Sequence, residues 1–124
     1  MRLHISASIN EASLLKALAH PARLEIVNVL RQGEACVCHL EAALGYRQAY
    51  ISQQLSILRR AGLVQERREG WNIYYNPTKP QIFELLDTAS RLLGREPGAA
   101  VGAPAPLHDC PCPHCNAEKE HSAC

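Results

Sequence analysis

The stretch CVCHLEAALGYRQAYISQQLSILRRAG, residues 36–62, decides the fold. It reads as a short helix over Val37 to Leu44 that Gly45 ends, then a longer helix over Arg47 to Arg60 that Ala61-Gly62 ends. Two short helices joined by a glycine-containing turn have the outline of a helix-turn-helix. With Ile51 on the core side of the longer helix, steps of about 100° bring Leu55 and Leu58 beside it and turn Ala49, Gln53, Ser56 and Arg60 outward. A small, polar outward face suits a helix lying in a DNA major groove, where Gln pairs bidentately with adenine and Ser and Arg serve bases or phosphates. Gln48, Tyr50, Ser52 and Gln53 are the expected base readers, with Arg47 and Ser56 as further DNA contacts.

Upstream, Asn10 followed by EASLLKAL predicts a capped helix with Leu14, Leu15 and Leu18 at helical spacing and Glu11 at its positive end. His20-Pro21 breaks that pattern, and ARLEIVNVLRQ starts a second helix with apolar residues at Leu24, Val27 and Leu30, running to Gly33. Downstream, VQERREGWNIYYN predicts a β-hairpin, with Glu69-Gly70 between two β-prone runs and Ile73 and Tyr75 alternating with Asn72, Tyr74 and Asn76. Its Arg67 and Arg68 are expected phosphate anchors, although Glu66 and Glu69 stand close enough in sequence to pair with them across the hairpin. After Pro77 and Pro80, QIFELLDTASRLLG carries Ile82, Leu85, Leu86, Ala89, Leu92 and Leu93, a stripe wide enough for a fifth helix. The natural partner for that stripe is another subunit.

One domain is the expectation for 124 residues, and a chain this small gains from a shared dimer core. The formal charge of +1 conceals an uneven split. Residues 1–94 hold eleven basic and eight acidic side chains, net +3, whereas residues 95–124 hold two and four, net −2. Arg47, Arg59, Arg60, Arg67 and Arg68, against Glu66 alone, make residues 47–68 the basic centre. No run approaches the roughly 20 apolar residues of a membrane span, and MRLHISASIN lacks the regions of a signal peptide. The expected location is therefore the cytoplasm, where clustered cysteines serve as metal ligands or redox groups more often than as structural disulfides. From residue 95 the chain is too rich in Pro, Gly and Ala to build a core and reads as a flexible Cys/His-rich tail, 95–124.

Cys36 and Cys38 fall at the start of the third helix, where the positive end of the helix dipole lowers a thiol's pKa and favours the metal-binding thiolate. Side chains two apart on a regular helix diverge by about 200°, so both sulfurs reach one ion only if the first turn is distorted. An ion that prefers the distorted state draws the population away from DNA, and the two ligands oppose each other by one coupling energy.

HPARLEIVNVL, EACVCHLEAAL, ISQQLSILRRAGLV and REGWNIYY, in that order, resemble the ArsR/SmtB family of metal-sensing repressors over roughly residues 10–94. The resemblance implies a mainly α winged helix-turn-helix with about five helices and a small β-hairpin. It also implies a homodimer formed through helices one and five, and an operator with an inverted repeat. In the arsenic-sensing and the cadmium- and lead-sensing branches the motif resembles Glu-Leu-Cys-Val-Cys-Asp-Leu, which stands here as Glu34-Ala35-Cys36-Val37-Cys38-His39-Leu40. Some arsenic sensors carry a third cysteine shortly after the pair, and here Glu41 occupies that place. Another branch binds zinc on helix five through paired Asp and His residues; Glu84 and Asp87 are present but no histidine is, so that site is not expected.

A trivalent arsenic site then needs a sulfur from elsewhere, and Cys110, Cys112, Cys115 and Cys124 of the same or the other subunit, which stand among His108, His114 and His121, are the candidates. Gly94 and Cys110 are sixteen positions apart, a flexible linker of roughly 20 to 24 Å, and tethering gives a tail thiolate an effective concentration on the order of millimolar. The tail is equally able to form its own Cys/His site around Cys112 and Cys115. Trivalent arsenic or antimony, which favours three thiolates, is the first expected inducer, cadmium or lead the second and zinc the third. The chief alternative is a repressor that senses oxidants through the same thiols. A disulfide oxidoreductase built on Cys112-Pro-His-Cys115 is the lesser rival, because that dithiol lacks the βαβ scaffold such chemistry needs. No paired carboxylates, Ser/His/Asp set or phosphate-binding loop supports an enzyme.

Overall fold

A computed structural model describes residues 2–96, with side chains from residue 10 onward. The elements are α1 (Arg2–Leu18), α2 (Pro21–Val29), a 3₁₀ turn (Leu30–Gln32), β1 (Ala35–Cys36), α3 (Val37–Leu44), α4 (Gln48–Arg60), β2 (Val64–Glu69), β3 (Asn72–Pro77) and α5 (Gln81–Leu92). The Cys/His-rich segment, with Cys110, Cys112, Cys115 and Cys124, lies outside the described residues. Among those residues no helix is long and apolar enough to cross a membrane.

α1 starts at Arg2 rather than at an Asn10 cap. No Gly or Pro interrupts residues 2–18, and one Asn inside a helix costs less than about 1 kcal/mol relative to Ala, so the helix runs through it. Pro21 opens α2 without losing a useful N–H, and the extended His20 caps it, its Nδ1 accepting from the Ala22 N–H at 3.2 Å. Leu24, expected in the apolar stripe of α2, is only half-buried, while Ile26 is fully buried. The reason is that α2 packs against α1, α3 and α4, which widens its buried arc.

The core forms where α2, α3 and α4 meet: Ile26, Val27, Leu40, Ile51 and Leu58 are each 0 % exposed. The expected inward set of α4, Ile51, Leu55 and Leu58, is buried, joined by Gln54. Burial of that amide is compensated. Arg23 Nε donates to Gln54 Oε1 at 3.0 Å and Arg23 Nη1 donates to the Ala17 carbonyl at 2.9 Å. One guanidinium thereby ties the end of α1 and the start of α2 to the middle of α4, fixing the orientation of α4. A second guanidinium ties in α5: Arg31 Nη2 lies 2.7 Å from Asp87 Oδ1, with its Cζ 5.0 Å from the centre of the Phe83 ring.

The sheet has three strands, order β1-β3-β2, where the sequence pattern announces only a hairpin. β1 is two residues long, too short for periodicity to reveal, and pairs antiparallel with β3 through Ala35 opposite Tyr75 and Cys36 opposite Tyr74. β2 and β3 are in register from Val64 opposite Pro77 to Glu69 opposite Asn72, which leaves Gly70-Trp71 as a two-residue turn. Gly70, at φ +61, supplies the positive φ that the first central position of such a turn requires.

Gly45 holds the angle between α3 and α4. It sits at φ +77, and its N–H donates to the Glu41 carbonyl at 2.8 Å to close α3. An added Cβ meets no atom within 4 Å, so substitution there strains the backbone alone. Gly45→Ala is expected to lower stability by about 1 to 2 kcal/mol, measured by urea unfolding at fixed protein concentration.

Candidate nucleic-acid interface and thiol cleft

α4 presents Gln48, Ala49, Ser52, Gln53, Arg59 and Arg60 as exposed residues along one side, opposite its buried set. Of the expected base readers, Gln48, Ser52 and Gln53 are exposed, whereas Tyr50 is half-buried with its ring centre 5.2 Å from that of Tyr46. Ser56 is half-buried, one turn beyond Ser52. Arg47 is exposed at the cap of α4, whose first turn has no side-chain cap. The positive end of the helix therefore faces outward beside a guanidinium, an arrangement that attracts phosphate.

The hairpin's charges are distributed in a way that composition could not reveal. Arg59 pairs with Glu66 at 3.0 Å across α4 and β2. Arg67 pairs with Glu34 on one side and with Glu69, at 3.0 Å, on the other, its Cζ 4.9 Å from the centre of the Tyr74 ring. The Glu34 and Glu69 hydrogen bonds hold the Arg67 guanidinium well above its ordinary pKa. Asn76 Nδ2 donates at 3.2 Å to Glu34 Oε2, which also accepts from Arg67 Nε, so the loop ahead of β1 is fastened to both long strands. Arg47, Arg60 and Arg68 have no ion pair among the described residues.

Cys36 is at once a strand residue and the cap of α3. Its backbone is extended, at φ −90 and ψ 172, and its Sγ accepts from the His39 N–H at 3.4 Å. The side chain is 2 % exposed, and the sulfur is disulfide-bonded. Cys38, half-buried, occupies the first turn of α3. The divergence of about 200° expected of two helical residues therefore does not apply, because Cys36 is not helical. Both cysteines instead line one cleft of about 230 Å³. Its other walls are Val37 between the two cysteines, Gln48 and Ser52 from α4, and Trp71, Ile73 and Tyr75 from the hairpin.

Ile73 and Tyr75, alternating as expected, thus face this cleft, while Tyr74 between them is the buried residue of the strand. Burial, and next the charge of Glu66, push the Tyr75 phenol above its ordinary pKa, so it lines the cleft in its neutral form. Among the described residues no three His, Cys, Asp or Glu side chains are gathered to hold a metal. The two cysteines alone supply too few ligands for a closed thiolate site. The cleft's sequence signal was the Cys-Val-Cys spacing; its α4 and hairpin walls had none, since they depend on the pairing of β1 with β3.

Residues 20–66 match the family model described as bacterial regulatory protein, arsR family. The chain is 49 % identical over 76 residues to a biofilm growth-associated repressor of Agrobacterium fabrum, covering 61 % of this chain and 65 % of that protein. The crystal structure of the transcriptional repressor BigR from Xylella fastidiosa superposes with a TM-score of 0.64 at 38 % identity, covering 74 % of this chain and 95 % of that one. A homodimeric winged helix-turn-helix DNA-binding domain from Mycobacterium bovis superposes with a TM-score of 0.68 at 31 % identity, covering 73 % and 84 %. With that order of helices, that hairpin and these relatives, the chain belongs to the ArsR/SmtB family of winged helix-turn-helix transcriptional regulators, a family of DNA-binding proteins and not of enzymes.

Proposed function

We propose that this protein is a metal- or metalloid-responsive repressor that binds an inverted-repeat operator as a homodimer and leaves it when a soft ion is captured at Cys36 and Cys38. One observation carries the reading: the two cysteines share a cleft with Gln48 and Ser52, residues of the DNA-reading face. A ligand held there touches the wall from which the operator is read, so occupancy and DNA binding are coupled through common residues. Cys110, Cys112, Cys115 and Cys124 are the source of further sulfur ligands, with trivalent arsenic or antimony first, then cadmium or lead, then zinc. Such a repressor works where its DNA is, in the cytoplasm.

Dimerisation has its own support. The apolar stripe of α5 is split: Ile82 and Leu86 are buried in the chain's own core, while Leu85, Leu92 and Leu93 are exposed, as are Leu14 and Leu15 of α1. Leu92 is 84 % exposed. Such a patch is the expected surface for a second copy, which would set two copies of α4 against two half-sites. On the DNA side, α4 reads bases through Gln48, Ser52 and Gln53, with Tyr50 and Ser56 supporting. Arg47, Arg60 and Arg68 anchor phosphates, and Arg67 serves mainly as a brace between the wing and Glu34.

A second reading keeps the repressor and changes the signal. The disulfide at Cys36 favours a thiol switch, in which peroxide takes two electrons and two protons from a pair of thiols and is reduced to water.

Reduced protein bound to a duplex selected from a random-sequence pool separates these readings. Arsenite or cadmium is expected to release the duplex from the wild-type chain and not from Cys36→Ser/Cys38→Ser; peroxide under chelation is expected to leave the wild-type complex intact. Serine is a strong cap, so the double variant keeps α3 and its DNA affinity. A chain truncated after Gly94 is expected to need at least tenfold more arsenite, because the tail sulfurs are gone. Arg68→Ala is expected to reduce the salt slope of operator binding by about one, whereas Arg67→Ala lowers the melting temperature and leaves that slope nearly unchanged. Gln53→Ala is expected to cost about 1 to 3 kcal/mol at one base pair and to relax specificity there.

A further inference from the structure

Trp71 is the chain's single tryptophan and is 92 % exposed, at the tip of the β2–β3 turn. A large indole left in water needs a reason, since a turn with Gly70 at its first central position accepts almost any residue at the second. The turn is rigidly mounted. Its strands are paired in six registered positions, and ion pairs tie them down at Arg59–Glu66 and Arg67–Glu34. Trp71 also lines the cleft with Gln48 and Ser52, so the tip stands on the side of the molecule that carries the first turns of α4. Arg68, two residues before the turn, is exposed and has no ion pair among the described residues.

We infer that Trp71 is a DNA-contact residue, an apolar anchor that packs its indole against the deoxyribose edge of the duplex beside the groove filled by α4. The inference rests on the repressor reading above and adds a contact of a different chemical kind. With Arg67 held by two carboxylates, the wing's grip comes from an aromatic face with Arg68 beside it, rather than from a pair of arginines. Deoxyribose carries no base identity, so the contact strengthens binding to every sequence alike. It releases no counterion, so it leaves the salt dependence unchanged.

The test uses the reduced full-length chain and the pool-selected duplex. Acrylamide quenching of the single indole is expected to fall at least threefold when the duplex binds. Trp71→Ala is expected to weaken binding about tenfold, equally for the selected and a scrambled duplex and with an unaltered salt slope, while Trp71→Phe recovers most of the loss. An indole that stays as accessible in the bound complex as in the free chain overturns the inference and leaves the repressor reading standing, as does a Trp71→Ala variant that binds like wild type. Protection of the indole in the DNA-free protein that grows with protein concentration overturns it too, by assigning the residue to contact between copies. If the chain retains no duplex from the pool, the repressor reading fails and this inference with it.

Discussion

Two backbone pairings, Ala35 with Tyr75 and Cys36 with Tyr74, govern the functional half of the molecule. They stitch the residue that caps α3 to the middle strand of the wing. Cys36 thus has two fixed neighbours: the strand on one side and, through its sulfur, the first turn of α3 on the other. Whatever happens to that sulfur is felt where the helix-turn-helix begins and where the wing is rooted. The Glu34 clamp on Arg67 and Asn76 reinforces the seam from the preceding residue. A helical Cys-Val-Cys would have spread its sulfurs around a cylinder. At a strand-to-helix corner both cysteines line one hollow.

Electrostatics in the hairpin follows the same geometry. Exposed ion pairs contribute little, about 0 to 1 kcal/mol each, so the Arg59–Glu66 pair is no obstacle to phosphate. Arg67 differs because three partners converge on it: two carboxylates and the Tyr74 ring. Its charge is used inside the protein, to keep the wing and the loop ahead of β1 in one piece. The net charge of residues 47–68 is correct as arithmetic, yet what that segment offers to DNA is set by how firmly each guanidinium is held inside the protein.

Much of this was legible in the residues. Gly45 and Gly62 mark the ends of α3 and α4, and the 3.6-residue spacing of Ile51, Leu55 and Leu58 identifies the buried side of α4. Those signals are local, arising within one turn of helix. The features that escaped are long-range or lacked a stop signal. β1 is only two residues and exists because β3, some forty positions later, offers it hydrogen-bonding partners. Gln54 reads as a polar surface residue until Arg23, on another helix, is seen to satisfy it. The start of α1 was misplaced because Asn10 resembles a cap but is also tolerated mid-helix. The cleft itself is a product of tertiary packing, and only its two cysteines carried a sequence signature.

The shared wall of the cleft has a consequence for redesign. Retargeting such a regulator to a new DNA sequence means replacing side chains near the start of α4, and Gln48 and Ser52 are natural choices. Both also border Cys36 and Cys38, so a change made for the sake of a base pair reshapes the chamber in which the proposed inducer would sit. Under the proposed function, selectivity for sequence and selectivity for signal are not independent dials. A biosensor built from it would have to be evolved for both properties at once.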